Sequence, residues 1–132
     1  MIFHKDGEKP IVSPTGEIFV FGSNLAGIHG AGAAREALVT YGAIFGRGLG
    51  FVGQSYALPT KNHLIDSMDF KCVKMFIEMF TDFSRAKRHE KFFVTAVGTG
   101  LAGYKDSDIA PLFKGVGNNC NMPIQWKEYL EN

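Results

Sequence analysis

Residues 18–34 read IFVFGSNLAGIHGAGAA, an apolar run that enters a glycine-rich turn and leaves it as alanine-rich sequence. EIFVF (17–21) is too short for a helix and is bounded by SPTG and GSN, which predicts a buried strand. Downstream, Ala31 to Tyr41 predicts a helix with one stripe of Ala34, Ala37, Leu38 and Tyr41. Gly42 follows as its stop. Strand, glycine turn, helix is the unit from which layered α/β domains are built, so this stretch decides the fold class.

The rest of the chain repeats the unit. GRGLGFVGQ (46–54) has four glycines in nine residues and predicts a tight loop, and SYALP predicts a strand ended by Pro59. In residues 67–88 the apolar positions Cys72, Val73, Phe76, Ile77, Phe80 and Phe83 recur at helical spacing, with Lys71, Lys74, Glu78 and Asp82 on other faces, which makes a core helix. FFVTAV (92–97) predicts a strand and runs into a second glycine turn, GTGLAGY. Asp106 or Ser107 is then the expected cap of a short helix reaching about Lys114, with Pro111 in its first turn. MPIQW (122–126) predicts a last strand, placed at a sheet edge by Pro123. The expectation is a single α/β domain, 1–132, with a largely parallel sheet.

Composition narrows the functional classes. The 132 residues are 45% hydrophobic and 20% charged, enough for one core without staples. Fourteen basic against thirteen acidic side chains leave a net charge of +1, so no global field favours a nucleic acid or a membrane surface. No run approaches the ~20 apolar residues of a membrane span. Two cysteines, Cys72 and Cys120, without CxxC spacing predict free thiols and a cytoplasmic setting. His4, His63 and His89 lie apart and join no Cys/His/carboxylate cluster, so neither a metal nor a cofactor is expected. Ser55 lacks the glycine framing of a nucleophile elbow. RAKRHEK (85–91) reads as the solvated, dipole-complementing end of the long helix.

Both glycine-rich turns follow predicted strands, where α/β folds bind ligands. Backbone N–H groups in such turns and the helix N-terminus beyond form an anion site, and phosphate is the obvious anion. Neither turn is a lysine-containing P-loop, and GIHGAG does not have dinucleotide-fingerprint spacing. Glycines at strand ends also serve plain turns, but two turns of one kind weigh toward a ligand. A diphosphate-containing ligand is therefore expected between GIHGAG and GTGLAG, with Gly30 and Gly100 at positive φ or too closely approached for a side chain. His29 in the first turn has two readings, an acid or base near neutral pH or a ring that orders the turn through loop carbonyls.

FGSNLAGIHGAGAAREALVTYGA, GQSYALPT and FFVTAVGTGLAGYKDSDIAPLF resemble, in order, three segments of macro domains, and together they cover about half the chain. The chain resembles a divergent macro-like branch of the kind met among phage and prophage proteins. The resemblance implies a three-layer α/β/α fold with a mostly parallel mixed sheet and a cleft for ADP-ribose or a related nucleotide. Gly22 and Ser23 would lead into the cleft, Asn24 would orient the ribose or a water, and Gly30, Ala31 and Gly32 would offer backbone N–H groups. Gly98, Thr99, Gly100, Leu101, Ala102 and Gly103 would embrace the diphosphate, and Tyr104 would stack near the terminal ribose. Asn24 and His29 would carry any hydrolysis of ADP-ribose derivatives. The macro Gly-Asp pair that reads adenine is reversed here as Asp6-Gly7. The implied alternatives are a non-enzymatic, phage-related module that sequesters or senses a nucleotide, and a protein-interaction module.

Overall fold

The computed structural model describes residues 1–131. Strand β2, Ile18–Asn24, is the hub, buried along nearly its whole length. Alternation of its side chains builds two cores at once. Ile18 and Val20 point into the larger one, with Val73, Ile77 and Phe80 from helix α2 (Phe70–Ala86), together with Phe92, Phe113 and Trp126. Phe19 and Phe21 point the other way, with Phe93, Ala57 and the Ala37 and Tyr41 side chains of helix α1 (Gly32–Thr40) and its C-cap. Stacking of Phe19 on Tyr41 at 4.6 Å ties that helix end to the sheet. Gly42 stops α1 as expected, with φ 79° and the Ala43 N–H returning to the Ala37 carbonyl at 3.1 Å.

Around β2, the described residues form a six-stranded sheet in the order β1-β6-β5-β2-β4-β3. Its strands are β1 Ile2–His4, β3 Gly50–Val52, β4 Ser55–Lys61, β5 Phe92–Val94 and β6 Cys120–Pro123, with β2 between β5 and β4. The pairings are parallel except β3 with β4. Short helices α3 (Asp106–Ile109) and α4 (Lys127–Leu130), with 3₁₀ turns at Ala110–Phe113 and Ile124–Trp126, complete the chain. Alternating strands and helices thus produce a mixed α/β fold with a mostly parallel sheet.

Several boundaries differ from the sequence expectation. The glycine loop 46–54 contains β3, which pairs with β4 through a two-residue turn at Gly53-Gln54. β4 does not stop at Pro59. The Phe19 N–H bonds the Gln54 carbonyl, so alternate residues 54, 56 and 58 serve β2 and Pro59 faces the β3 side, where β3 has no partner beyond Ala57. β5 ends at Val94 because the Val97 N–H folds back to the Thr95 carbonyl at 2.7 Å. β6 is internal, flanked by β1 and β5, and ends at Pro123. β5 pairs with it only to Asn121, so the missing proline N–H interrupts no ladder there, and residues 124–126 turn as a 3₁₀ helix. The edge on this side is β1, three residues long, held by a bond between the His4 Nε2 and the Val94 carbonyl at 2.7 Å and by stacking on Phe93.

Helix details also shift. Cys72 is exposed and off the α2 stripe, which runs through Val73, Ile77, Phe80 and Ser84. Both cysteines are free thiols, and burial pushes the Cys120 thiol up to about 11, with a Ser84 hydrogen bond acting the other way. Neither Asp106 nor Ser107 caps α3. Lys105 is the N-cap, its N–H bonded to the Asp108 carboxylate at 3.2 Å, while the Asp106 carboxylate accepts the Trp126 indole N–H at 2.6 Å.

Candidate functional site

β2 and β5 are adjacent and parallel, so the turns that leave their carboxyl ends emerge side by side. They face each other across a cavity of about 510 Å3, lined by Gly22–Asn24, Ile28 and Gly30–Ala34 on one side and by Thr95–Ala102 on the other. Thr60, Lys61 and Ile65, from the end of β4 and the loop after it, line it as well.

The first loop is built by Asn24. Its amide donates from Nδ2 to the Ile28 carbonyl at 2.8 Å and accepts the Ile28 N–H on Oδ1 at 3.0 Å, closing the turn like a backbone rung. The segment 46–48 buttresses this turn from behind. Ser23 Oγ donates to the Gly48 carbonyl at 2.5 Å, and the Gly46 N–H donates to the Gly27 carbonyl at 2.9 Å. A Cβ on Gly48 would lie 2.0 Å from the Asn24 carbonyl oxygen, and one on Gly27, which sits at φ 72°, would lie 2.3 Å from the Gly46 carbonyl carbon. These are the glycines that close approach requires. Gly30 and Gly100, expected in that role, have no positive φ and nothing within 4 Å of an added Cβ, because both face the open cleft.

α1 then begins at Gly32 with no side-chain cap and no acidic residue in its first turn. Among the described residues the N–H groups of Gly32, Ala33 and Ala34 make no hydrogen bond, so the positive end of the helix opens on the cleft. The second loop folds on itself, with Thr99 N–H to the Ala96 carbonyl, Gly103 N–H to Gly100 and Tyr104 N–H to Gly98. The N–H groups of Gly98, Gly100, Leu101 and Ala102 remain unpaired within the described residues. Two sets of free backbone donors on residues that line one cavity are the chemistry of an anion site. No Asp or Glu lines the cavity, and Lys61 supplies its positive charge.

Of the residues singled out in the sequence, Gly22, Ser23, Asn24, Gly30, Ala31 and Gly32 meet in this cavity, and so do Gly98, Thr99, Gly100, Leu101 and Ala102. His29, Gly103 and Tyr104 do not line it. The His29 ring is buried, bonded through Nε2 to the Arg47 carbonyl at 3.1 Å, and set edge-on to Phe21 with centroids 5.2 Å apart. A carbonyl only accepts, so the proton is on Nε2, and Nδ1 is left buried without a partner. That is the turn-ordering arrangement. The Tyr104 hydroxyl bonds the Met68 carbonyl, and its phenol pKa is raised by burial and then by Asp69, Cys72 and Asp108.

Lys61, Thr60, Thr95 and Ile65 are lining residues that sequence reading passed over. Ending β4 at Pro59 hid the fact that Lys61 pairs with Asn24 across a register shift, at the same carboxyl edge of the sheet. Ile65 has φ 65°, a conformation costing a β-branched residue about 1–3 kcal/mol. It is held there by Asn62, whose Oδ1 accepts the Leu64 N–H at 2.8 Å and the Asp66 N–H at 3.1 Å.

No protein-family model, no curated protein and no solved structure matches the chain. No group of three or more His, Cys, Asp or Glu able to hold a metal occurs among the described residues, and no helix of theirs is long and apolar enough to cross a membrane.

Proposed function

We propose that the chain binds ADP-ribose or a related diphosphate-containing nucleotide in the cleft between its two glycine-rich turns. The observation that carries this reading is the pair of unpaired N–H arrays on opposite walls of one cleft, one of them the uncapped start of α1, with no carboxylate lining it. A phosphate offers acceptors to backbone donors, and a diphosphate carries two such groups, one for each array. The helix α1 against one core and α2 against the other are compatible with the three-layer, macro-like arrangement that the sequence resemblance implies.

Binding without turnover is favoured over hydrolysis by one placement, that of His29, whose ring is turned into the smaller core. The ionisable side chain lining the cleft is Lys61, so any chemistry there would draw on it or on the ligand's own groups. Titration calorimetry with ADP-ribose, NAD and a cyclic nucleotide tests the reading. ADP-ribose is expected to bind with Kd below about 1 mM, which corresponds to roughly 4 kcal/mol. No heat with any of them at that concentration would leave the protein-interaction reading in front.

A further inference from the structure

The side chains that line the cleft spend their polar groups on the protein itself. Asn24 clamps Ile28 in both directions, Ser23 donates to the Gly48 carbonyl, Thr60 to Ser23, Thr95 to Val20 and Thr99 to Ala96. Several cleft carbonyls are engaged too, those of Ile28, Ala96, Gly98, Gly100 and Ala102 each accepting a bond from the chain. What remains for a ligand is a surface rich in donors, the free N–H groups with Lys61, and no side-chain carboxylate to accept from an exocyclic amine. Beside the donors lie apolar side chains. Ile28, Ile65 and Leu101 line the cavity while 46%, 37% and 80% exposed. Leu101 sits at the crest of the second loop, and Ile65 is the residue held at positive φ. Strain retained at a cleft-lining apolar residue points to a contact that the site uses.

We propose that the cleft recognises the diphosphate itself and is indifferent to the base, so that its ligand class is nucleoside diphosphate conjugates at large, with the base resting on Ile28, Ile65 and Leu101. This rests on the diphosphate reading of the same site. Apolar contact separates related ligands by factors of about 10 to 200, whereas a site that hydrogen-bonds a particular amino or hydroxyl group rejects its analogue by about 10⁴ or more. Pyrimidine and purine conjugates should therefore compete for one site on similar terms.

The experiment is calorimetry on the full chain with ADP-ribose, GDP-mannose, UDP-glucose, AMP and UMP. The expected result is that the three diphosphate conjugates fall within about 200-fold of one another in Kd, the most that apolar contact separates, and that both monophosphates bind more weakly than any of them. Selection of one base by more than about 200-fold would overturn base indifference while leaving diphosphate binding in place. Failure of all three conjugates would overturn the diphosphate reading and the inference together. Ile65→Gly, which relieves the positive φ, supplies a second measurement. It should weaken the three conjugates by the same factor, within about threefold. Loss confined to one base, or no loss for any, would show that Ile65 is not the platform.

Discussion

The loop from Asn24 to Ala31 is tied down by side chains, and the loop from Gly98 to Tyr104 by its own backbone. Asn24, Ser23 and His29 each reach a carbonyl to hold the first, and the 46–48 segment packs against it so tightly that two glycines have no room for a Cβ. In the second, three backbone turns and the Thr99 hydroxyl act with two ties to the segment before α2, the Ser67 hydroxyl on the Ala102 carbonyl and the Tyr104 hydroxyl on the Met68 carbonyl, and Leu101 projects 80% exposed. Both line one cleft, yet one is a wall backed by the 46–48 segment and the other a turn held mainly by its own backbone. A site of this kind can hold its anion geometry on the fixed side and adapt to the rest of a ligand on the other.

The largest expected effect comes from breaking the fixed wall. Gly48→Ala puts a Cβ 2.0 Å from the Asn24 carbonyl oxygen and 2.9 Å from the Leu25 Cα, both backbone atoms that cannot swing away. Destabilisation of about 3 kcal/mol or more is expected, read as a fall in the urea midpoint. Gly100→Ala in the other loop meets nothing within 4 Å and should change stability by no more than about 0.5 kcal/mol. Equal losses in the two variants would erase the contrast.

A smaller effect separates side-chain from backbone support. Asn24→Ala removes two hydrogen bonds that close the first turn, for about 2 kcal/mol at roughly 1 kcal/mol each, and should weaken ADP-ribose as the turn loosens. Thr99→Val removes one bond, to the Ala96 carbonyl at 2.7 Å, and should cost about 1 kcal/mol or less because the backbone turns persist. If Thr99→Val proved the more damaging, the second loop would depend on its side chain after all.

The contrast also explains what could be read from residues alone. Glycine turns after apolar runs mark the carboxyl edge of an α/β sheet whatever the details, so residues 22–24, 30–32 and 98–102 were legible as the lining of one cavity. Side-chain direction was not. His29 sits in the middle of the first turn, but its ring follows Phe21 into the core, and nothing in the spacing distinguishes that rotamer from one facing the cleft. Lys61 stayed hidden for another reason, the habit of ending a strand at proline, when an edge partner that stops early makes Pro59 harmless. β1 and β3 are three residues each, below the length at which periodicity carries a signal, and only pairing with β6 and β4 makes them strands.

A small expected effect on binding bears on chemistry. His29→Leu keeps most of the buried volume and the contact with Phe21, removes the bond from Nε2 to the Arg47 carbonyl, and removes the unpartnered Nδ1 at the same stroke. A lost hydrogen bond of about 1 kcal/mol is set against relief of a buried, unsatisfied nitrogen, so net stability should move by no more than about 1 kcal/mol. ADP-ribose affinity should stay within about threefold of the parent, since the ring does not line the cavity. Turnover on an ADP-ribosylated substrate, if the parent shows any, should be equally unaffected. A fall of about 100-fold in kcat at unchanged affinity is the signature of a lost acid or base. That outcome would require the imidazole to leave Phe21 and the Arg47 carbonyl and turn into the cleft, and the first loop would then be a moving part and not a fixed wall.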